Sequence, residues 1–425
     1  KFGPSKMNEL SWRQGQIARA PSAEKGVLGQ LSPPAADVRL PDSVVHQDAA
    51  GGTNQSLRSL CGSDGGGFAA VWQDPRDGML GLYLLRLDAS GEPLEPERPI
   101  HEPHAGRRLD PAVALAPDGS GAVAWTAPRP ETPPVAYLRF FDSKGRFLAP
   151  DKALGATQPR EERGGGPRRS GATKVSAIRR RDGSYAIAWT EEGKVKLLEA
   201  DASGTWRDRP GILNAEASKA EPGVRLGVEK GGGLLCAWRA GDRYVATALG
   251  QAPDPSRKVV EGSARSCGEG VLEKLVSDPN GGFWSLVQLA GAFELRHLSS
   301  AGEPDRPAIR PVDETVSNAD LARWHGGLAL LAGRASGALE VLLFGDDGQR
   351  LEEAPTVVTS PGARGAEEAR IASNGATLFV AWTDHRNNDT DVYGRTLDPK
   401  SPPEKRLGPE RRLNSDTASA GQINP

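Results

Sequence analysis

Several things are scarce in this 425-residue chain, and each scarcity excludes something. Aromatic residues make up only 5% of positions, cysteine appears three times and methionine twice. No apolar run approaches the roughly 18 residues that a membrane-spanning helix needs, which excludes an integral membrane protein of that type. Charge of one sign is also missing: 53 Lys and Arg stand against 55 Asp and Glu, a formal net charge of −2. A nearly neutral chain lacks the broad positive field on which non-specific nucleic-acid binding depends, so no nucleic-acid partner is expected. The chain opens on Lys1 and shows no signal peptide, which reads as a mature chain trimmed of its leader, with a lipid anchor or tether possible only upstream.

What the chain has in quantity is turn residues. There are 52 glycines and 34 prolines, too many for a helical bundle, while the 37% hydrophobic content is too high for a disordered chain.

An internal repeat organises these residues. A Gly-containing turn followed by a short apolar run ending in Trp appears as GGGFAAVWQD (Trp72), SGAVAWTA (Trp125), GSYAIAWTE (Trp189), GGLLCAWRA (Trp238) and GATLFVAWTD (Trp382). Two degenerate copies, GGFWSLVQ and GGLALLAG, place Val287 and Ala332 where the others have Trp. Seven anchors result, 45 to 64 residues apart. The second copy divides most clearly, into apolar runs over 110–116, 121–127, 135–142 and 146–154. Runs this short, bounded by Gly, Pro and Asp, predict strands.

Turn chemistry points the same way. Asx-Gly pairs (Asp64-Gly65, Asp118-Gly119, Asp182-Gly183, Asn280-Gly281, Asn374-Gly375) separate the first and second runs, as expected of tight hairpins with positive φ at both positions. The pattern D-x-x-G separates the third and fourth, at Asp88 to Gly91, Asp142 to Gly145 and Asp201 to Gly204. A four-stranded antiparallel unit repeated seven times predicts an all-β fold, a seven-bladed β-propeller. In that fold the Trp residues are expected to be core plugs between blades.

The segments WQDPRDGMLGLYLLRLDASGEPL and WTDHRNNDTDVYGRTLD share W-x-D-x-R followed by Y-x-x-R-x-L-D or Y-x-R-x-L-D. This pattern resembles the propeller-like repeats of bacterial secreted and cell-surface proteins over about residues 50 to 415. The resemblance implies a mostly non-enzymatic protein outside the cytoplasm.

The expected organisation is an extended arm over residues 1–37, carrying Leu10, Trp12, Val27 and Leu31, and a propeller over 38–425. The tail 406–421 repeats the PER triplet of 93–106 and should supply the outermost strand of the seventh blade. Residues 38–46 resemble another outer strand, so the two ends of the propeller should meet.

Four groups of side chains are candidates for chemistry. Arg160, Arg163, Arg168 and Arg169 lie among glycines in the longest inter-repeat loop and suit an anionic ligand or an acidic partner, although Glu161 and Glu162 dilute the charge. Asp384, Asn387, Asp389 and Asp391 offer hard oxygen ligands for calcium; the competing reading is a local Asp384–Arg386 ion pair, repeated as Asp74 and Arg76. Cys236 and Cys267 suit a disulfide between neighbouring repeats in a secreted protein, or are simply buried thiols. His46, His101, His104, His297, His325 and His385 show no metal-binding or catalytic spacing, and no Ser, Walker or dinucleotide motif is present, so no catalytic residue is assigned.

Three functions fit this reading. The first is a non-enzymatic scaffold for protein or cell-surface assembly. The second is a glycan-binding or glycan-cleaving propeller with its site at the mouth of the axial channel. The third is a purely structural module of an envelope complex.

Overall fold

In the computed structural model, the described residues are 55–76, 80–102, 108–129, 132–154, 173–206, 210–214, 220–250, 264–312, 316–363, 365–386 and 390–415. The chain divides into residues 1–52 and 53–425, and all described residues belong to the second unit. The expected arm, and the outer strand expected over 38–46, lie outside the described residues.

Seven antiparallel sheets follow one another along the chain, each with its strands in sequence order. Six have four strands; the fifth has three, with the Leu295–Ile309 bridge standing where its fourth would run. The only helix among the described residues is a single 3-10 turn, Pro403–Lys405. The second blade shows how the sequence runs map to strands: Leu109–Leu115, Gly121–Arg129, Thr132–Phe141 and a short outer strand, Lys152–Ala153. The seventh blade takes its outer strand, Arg411–Arg412, from the tail that carries the second PER triplet.

A sheet with two apolar faces must cover both, and here each does so against its two neighbours. The buried hydrophobic residues fall into seven separate clusters, one at each seam between blades. The seam between the seventh and first blades packs Phe379, Ala381 and Val392 against Phe68, Ala70 and Trp72, and this closes the ring. Trp72, Trp125, Trp189, Trp238, Trp284 and Trp382 are among the largest fully buried side chains. In the degenerate copies Val287 and Ala332 occupy the same register and are buried too.

The turns confirm the hairpins and correct their type. Gly119 N donates to Ala116 O at 2.9 Å, and Gly183 and Gly281 make the same closure on Arg180 and Asp278. In these turns the Gly is left-handed (φ 82° at Gly119), whereas Asp118, Asp182 and Asn280 are not. One left-handed Gly closing a four-residue turn is the alternative to the expected hairpin with two positive φ values. In the D-x-x-G turns, the Asp carboxylate accepts backbone N–H groups two and four residues on. Asp142 receives Lys144 N at 2.9 Å and Arg146 N at 2.8 Å, and Asp88 and Asp201 repeat this. Side-chain hydrogen bonds from Arg146 to Asp142 and from Ser203 to Asp201, joined by these backbone bonds, hold those carboxyls below their ordinary pKa; at Asp88 burial opposes, but the Ser90 hydroxyl and the backbone bonds prevail.

Candidate functional site: the loop face and the axial wall

The innermost strands of the blades are Ser56–Gly62, Leu109–Leu115, Thr173–Arg179, Glu221–Val228, Val271–Ser277, Val316–Trp324 and Glu367–Ser373. Each packs against the innermost strand on either side, so together they form the wall around the ring axis. All seven carry a register shift near their start, with extra residues on the innermost strand. Asp110, Lys174 and Glu368 take positive φ at these bulges, and Gly223 does so in the fourth blade. A bulge bends a strand and re-aims its side chains, and here it recurs at one end of the wall, beside the loops that follow the second and fourth strands.

Past the bulge, one position in each strand pairs with the residue preceding the Trp anchor. These positions are Ser59, Ala112, Ser176, Arg225, Lys274, Asp320 and Arg370, opposite Val71, Ala124, Ala188, Ala237, Leu286, Leu331 and Ala381. Equal register puts them at one level of the wall. Four of them reach across to the next innermost strand. Ser59 Oγ accepts from Val113 N at 3.3 Å, and Arg225 Nε donates to Glu273 O at 2.7 Å. Lys274 Nζ lies 3.2 Å from Asp320 Oδ1, and Asp320 Oδ2 accepts from Ile371 N at 3.0 Å. Asp320 therefore joins three blades.

On the loop face, the W-x-D-x-R pattern proves to be a staple. Arg76 donates to Asp74 through Nε at 2.7 Å and through its backbone N at 2.8 Å. The same guanidinium reaches Glu97 of the outer strand at 2.9 Å and lies over the Tyr83 ring at 4.4 Å. The seventh blade repeats every part: Arg386 binds Asp384 at 2.7 Å, pairs with Glu410 and lies over Tyr393 at 4.1 Å. Both glutamates come from a PER triplet, so the two distant motifs are halves of one device. Burial opposes the charge on Arg76, but the bonds and fields of Asp74 and Glu97 outweigh it and raise its pKa. At Arg386 the Asp384 hydrogen bond is the leading cause of the same upward shift. Burial would raise the Glu97 pKa, yet the Ser415 and Arg76 bonds hold it below the ordinary value.

The expected site residues fare unevenly. Arg160, Arg163, Arg168 and Arg169 lie outside the described residues, as do Asn387 and Asp389 of the calcium set. Asp384 is bonded to Arg386, and Asp391 accepts Asn414 Nδ2 at 3.0 Å. Among the described residues no three His, Cys, Asp or Glu side chains are grouped as a metal would require. The Cys236–Cys267 bridge is corrected: both thiols are free. They belong to one blade, not neighbouring repeats, because Arg265–Glu269 pairs as the fourth strand of the sheet containing Leu234–Ala240. Cys236 packs into the seam with the third blade and Cys267 into the seam with the fifth, so the sheet itself separates them. Burial pushes the Cys61 and Cys267 thiols up to about 12, and Cys236 higher still.

One cluster had no signal in the sequence. His297 is buried, with Nε2 3.0 Å from Asp278 Oδ2 and Nδ1 2.5 Å from Asp305 Oδ1. It joins the first turn of the fifth blade to the segment after its third strand, in the blade whose outer strand is reduced to a single bridge. Nδ1 is hydrogen-bonded to Asp305, while Nε2 stands at ion-pair distance from Asp278 without a hydrogen bond, so the ring braces the two segments.

No family model matches the chain, and no curated protein matches it. Solved structures do. A puromycin hydrolase mutant complexed with PGG aligns at TM-score 0.50 and 14% identity, over 85% of this chain and 53% of that one. A prolyl endopeptidase aligns at TM-score 0.50 and 14% identity, over 84% and 49%. The Dos1 propeller aligns at TM-score 0.43 and 13% identity, over 76% and 74%. The likeness is one of fold. The chain spans about half the length of the two peptidases it resembles. Among the described residues no helix is long and apolar enough to cross a membrane.

Proposed function

We propose that the protein is a non-enzymatic β-propeller scaffold outside the cytoplasm, which assembles protein or cell-surface partners on its loop face. The observation that carries this reading is the paired staple, Asp74–Arg76–Glu97 and Asp384–Arg386–Glu410. The most distinctive side chains of the repeat tie the end of the second strand to the third and fourth strands, which supports a rigid face. A rigid ring favours binding, because little conformational freedom is lost on contact. The resemblance of the repeats to those of secreted and surface proteins supports the location.

The glycan reading finds less support. Six Trp rings are fully buried and present no face to a sugar. The likeness to a puromycin hydrolase and a prolyl endopeptidase, at 14% identity and over about half of each of those proteins, carries no activity to this protein.

The test is cross-linking in intact cells of the source, followed by native mass spectrometry. A defined protein complex cross-linked through loop-face residues, in a protease-accessible fraction, supports the scaffold. Recovery only as a cytoplasmic monomer, or hydrolysis of any member of a glycan panel by the purified protein, overturns it.

A further inference from the structure

The level of the axial wall described above is unevenly charged. The first three blades contribute Ser59, Ala112 and Ser176, while the remaining four contribute Arg225, Lys274, Asp320 and Arg370. Three cations thus share one level with a single carboxylate, all on one side of the ring. Asp320 is already occupied, accepting Leu321 N at 2.9 Å and Ile371 N at 3.0 Å as well as facing Lys274. Arg225 leans on the Glu273 backbone and its carboxylate, the latter at a long 3.4 Å. Arg370 donates to the carbonyl of its own neighbour Ala369 at 2.9 Å, and among the described residues it forms no ion pair.

These heads are reachable. The Lys274 side chain keeps 32% of its exposure and Arg225 22%, although both stand on innermost strands. Burial raises the pKa of the Cys61 thiol, on the innermost strand of the first blade, and the positive field of Lys274 from across the ring opposes that rise. Three seams separate those two strands along the shorter way around the ring. Two residues deeper, the equivalent wall positions are Cys61, Ala114, Ile178, Gly227, Val276, Ala322 and Ala372. None of them carries a carboxylate to neutralise the level above.

We propose that Arg225, Lys274 and Arg370 form an axial site for a tetrahedral oxyanion, phosphate or sulfate, either free or as the head of a larger molecule. An oxyanion with several acceptor atoms matches donors arriving from three blades. The low dielectric of the surrounding sheets strengthens such charge-assisted hydrogen bonds. Arg370 supplies the guanidinium with no other ionic partner, and Lys274 and Arg225 flank it with charges only partly answered by Asp320 and Glu273. The site is independent of the scaffold reading, since it faces the axis and not the loops.

The experiment is isothermal titration of the full chain with inorganic phosphate and with sodium sulfate, against sodium chloride at matched ionic strength. Saturable one-site binding of either oxyanion is expected, weakening as salt rises. Arg370→Gln should weaken it by roughly tenfold or more. Lys274→Gln should also weaken it, while Arg146→Gln on the outer rim leaves it unchanged. Arg370 makes no cross-blade bond, so its variant keeps the ring, which far-UV circular dichroism and an unchanged melting temperature verify. If a sulfated oligosaccharide or a phosphorylated small molecule binds more tightly than the free ion, the site takes the head of a larger ligand; if not, it takes the ion alone. No saturable binding by the wild type, or equal binding by Arg370→Gln, overturns the proposal.

Discussion

Asn414 Nδ2 donates a buried hydrogen bond of 2.7 Å to Gln55 Oε1, joining residues 359 positions apart. Around that bond the last blade meets the first. Asn414 Oδ1 also accepts Val392 N at 2.8 Å, and Gln55 N donates to Thr390 O at 3.1 Å. Asn214 has the corresponding place in the third blade, accepting Val195 N at 2.6 Å and donating to Gly193 O at 2.9 Å. In the seventh blade this Asn bonds across the closing seam as well as within its own sheet.

Asn414→Ala should therefore destabilise more than Asn214→Ala. Both leave a buried backbone N–H unpaired, at about 1–3 kcal/mol. The Asn414 variant also removes the bond to Gln55 across the closing seam. Urea denaturation of the two variants checks this, and an equal loss would show that closure does not depend on Asn414.

Trp382→Ala should cost about 3–5 kcal/mol, because a fully buried ring leaves a cavity between blades that sheets on both sides cannot collapse into. Leu148→Ala, on a rim side chain that is 58% exposed, should change stability by no more than about 0.5 kcal/mol. Thermal melts of both variants make the comparison.

The staple gives a pH dependence of definite sign. The Glu97 pKa in the folded protein lies below its ordinary 4.5, so the unfolded chain binds the proton first. Its contribution is fully present above pH 4.5 and is lost as pH falls through the folded value. Glu97→Gln should be less stable than wild type at neutral pH and should lose stability less steeply under acid. Denaturation midpoints between pH 6 and pH 3 measure the slope; parallel curves would remove Glu97 from the acid response.

The three thiols should be silent in the native protein. Thiolate is the reactive form, and burial holds Cys61 and Cys267 near 12 and Cys236 above that. Labelling with a chromogenic disulfide reagent at pH 8 should proceed only after denaturant is added, and should then count three free thiols. Prompt labelling of the folded chain would contradict the burial.

Much of the ring could be read from the string because its period is carried by side chains that have to be buried. Trp72 to Trp382 mark the second strand of each blade, and even Val287 and Ala332 keep the register with smaller groups. The Asx-Gly pairs located the hairpins, but the turn type escaped, since only the Gly, and not Asp118, has to be left-handed. The W-x-D-x-R and PER motifs were visible separately; their union depends on the fourth strand pairing with the third, which brings Glu97 and Glu410 to Arg76 and Arg386. The wall position of Arg225, Lys274 and Arg370 was hidden because each bulge shifts the count by one or two residues. Cys267 was misplaced for a related reason: the long stretch before it precedes the outer strand of its own blade and does not start the next one. Nothing in the spacing brought His297 between Asp278 and Asp305.

Seven hydrophobic clusters with no single centre make the ring a loop of neighbour-to-neighbour couplings. Six of those couplings are backed by a continuous backbone, and the seventh rests on side chains and hydrogen bonds between Gln55 and Asn414 and their surroundings. Thermal breathing will therefore begin at that latch, and a blade removed anywhere takes two interfaces with it, so the molecule has no stable half-circle to fall back on.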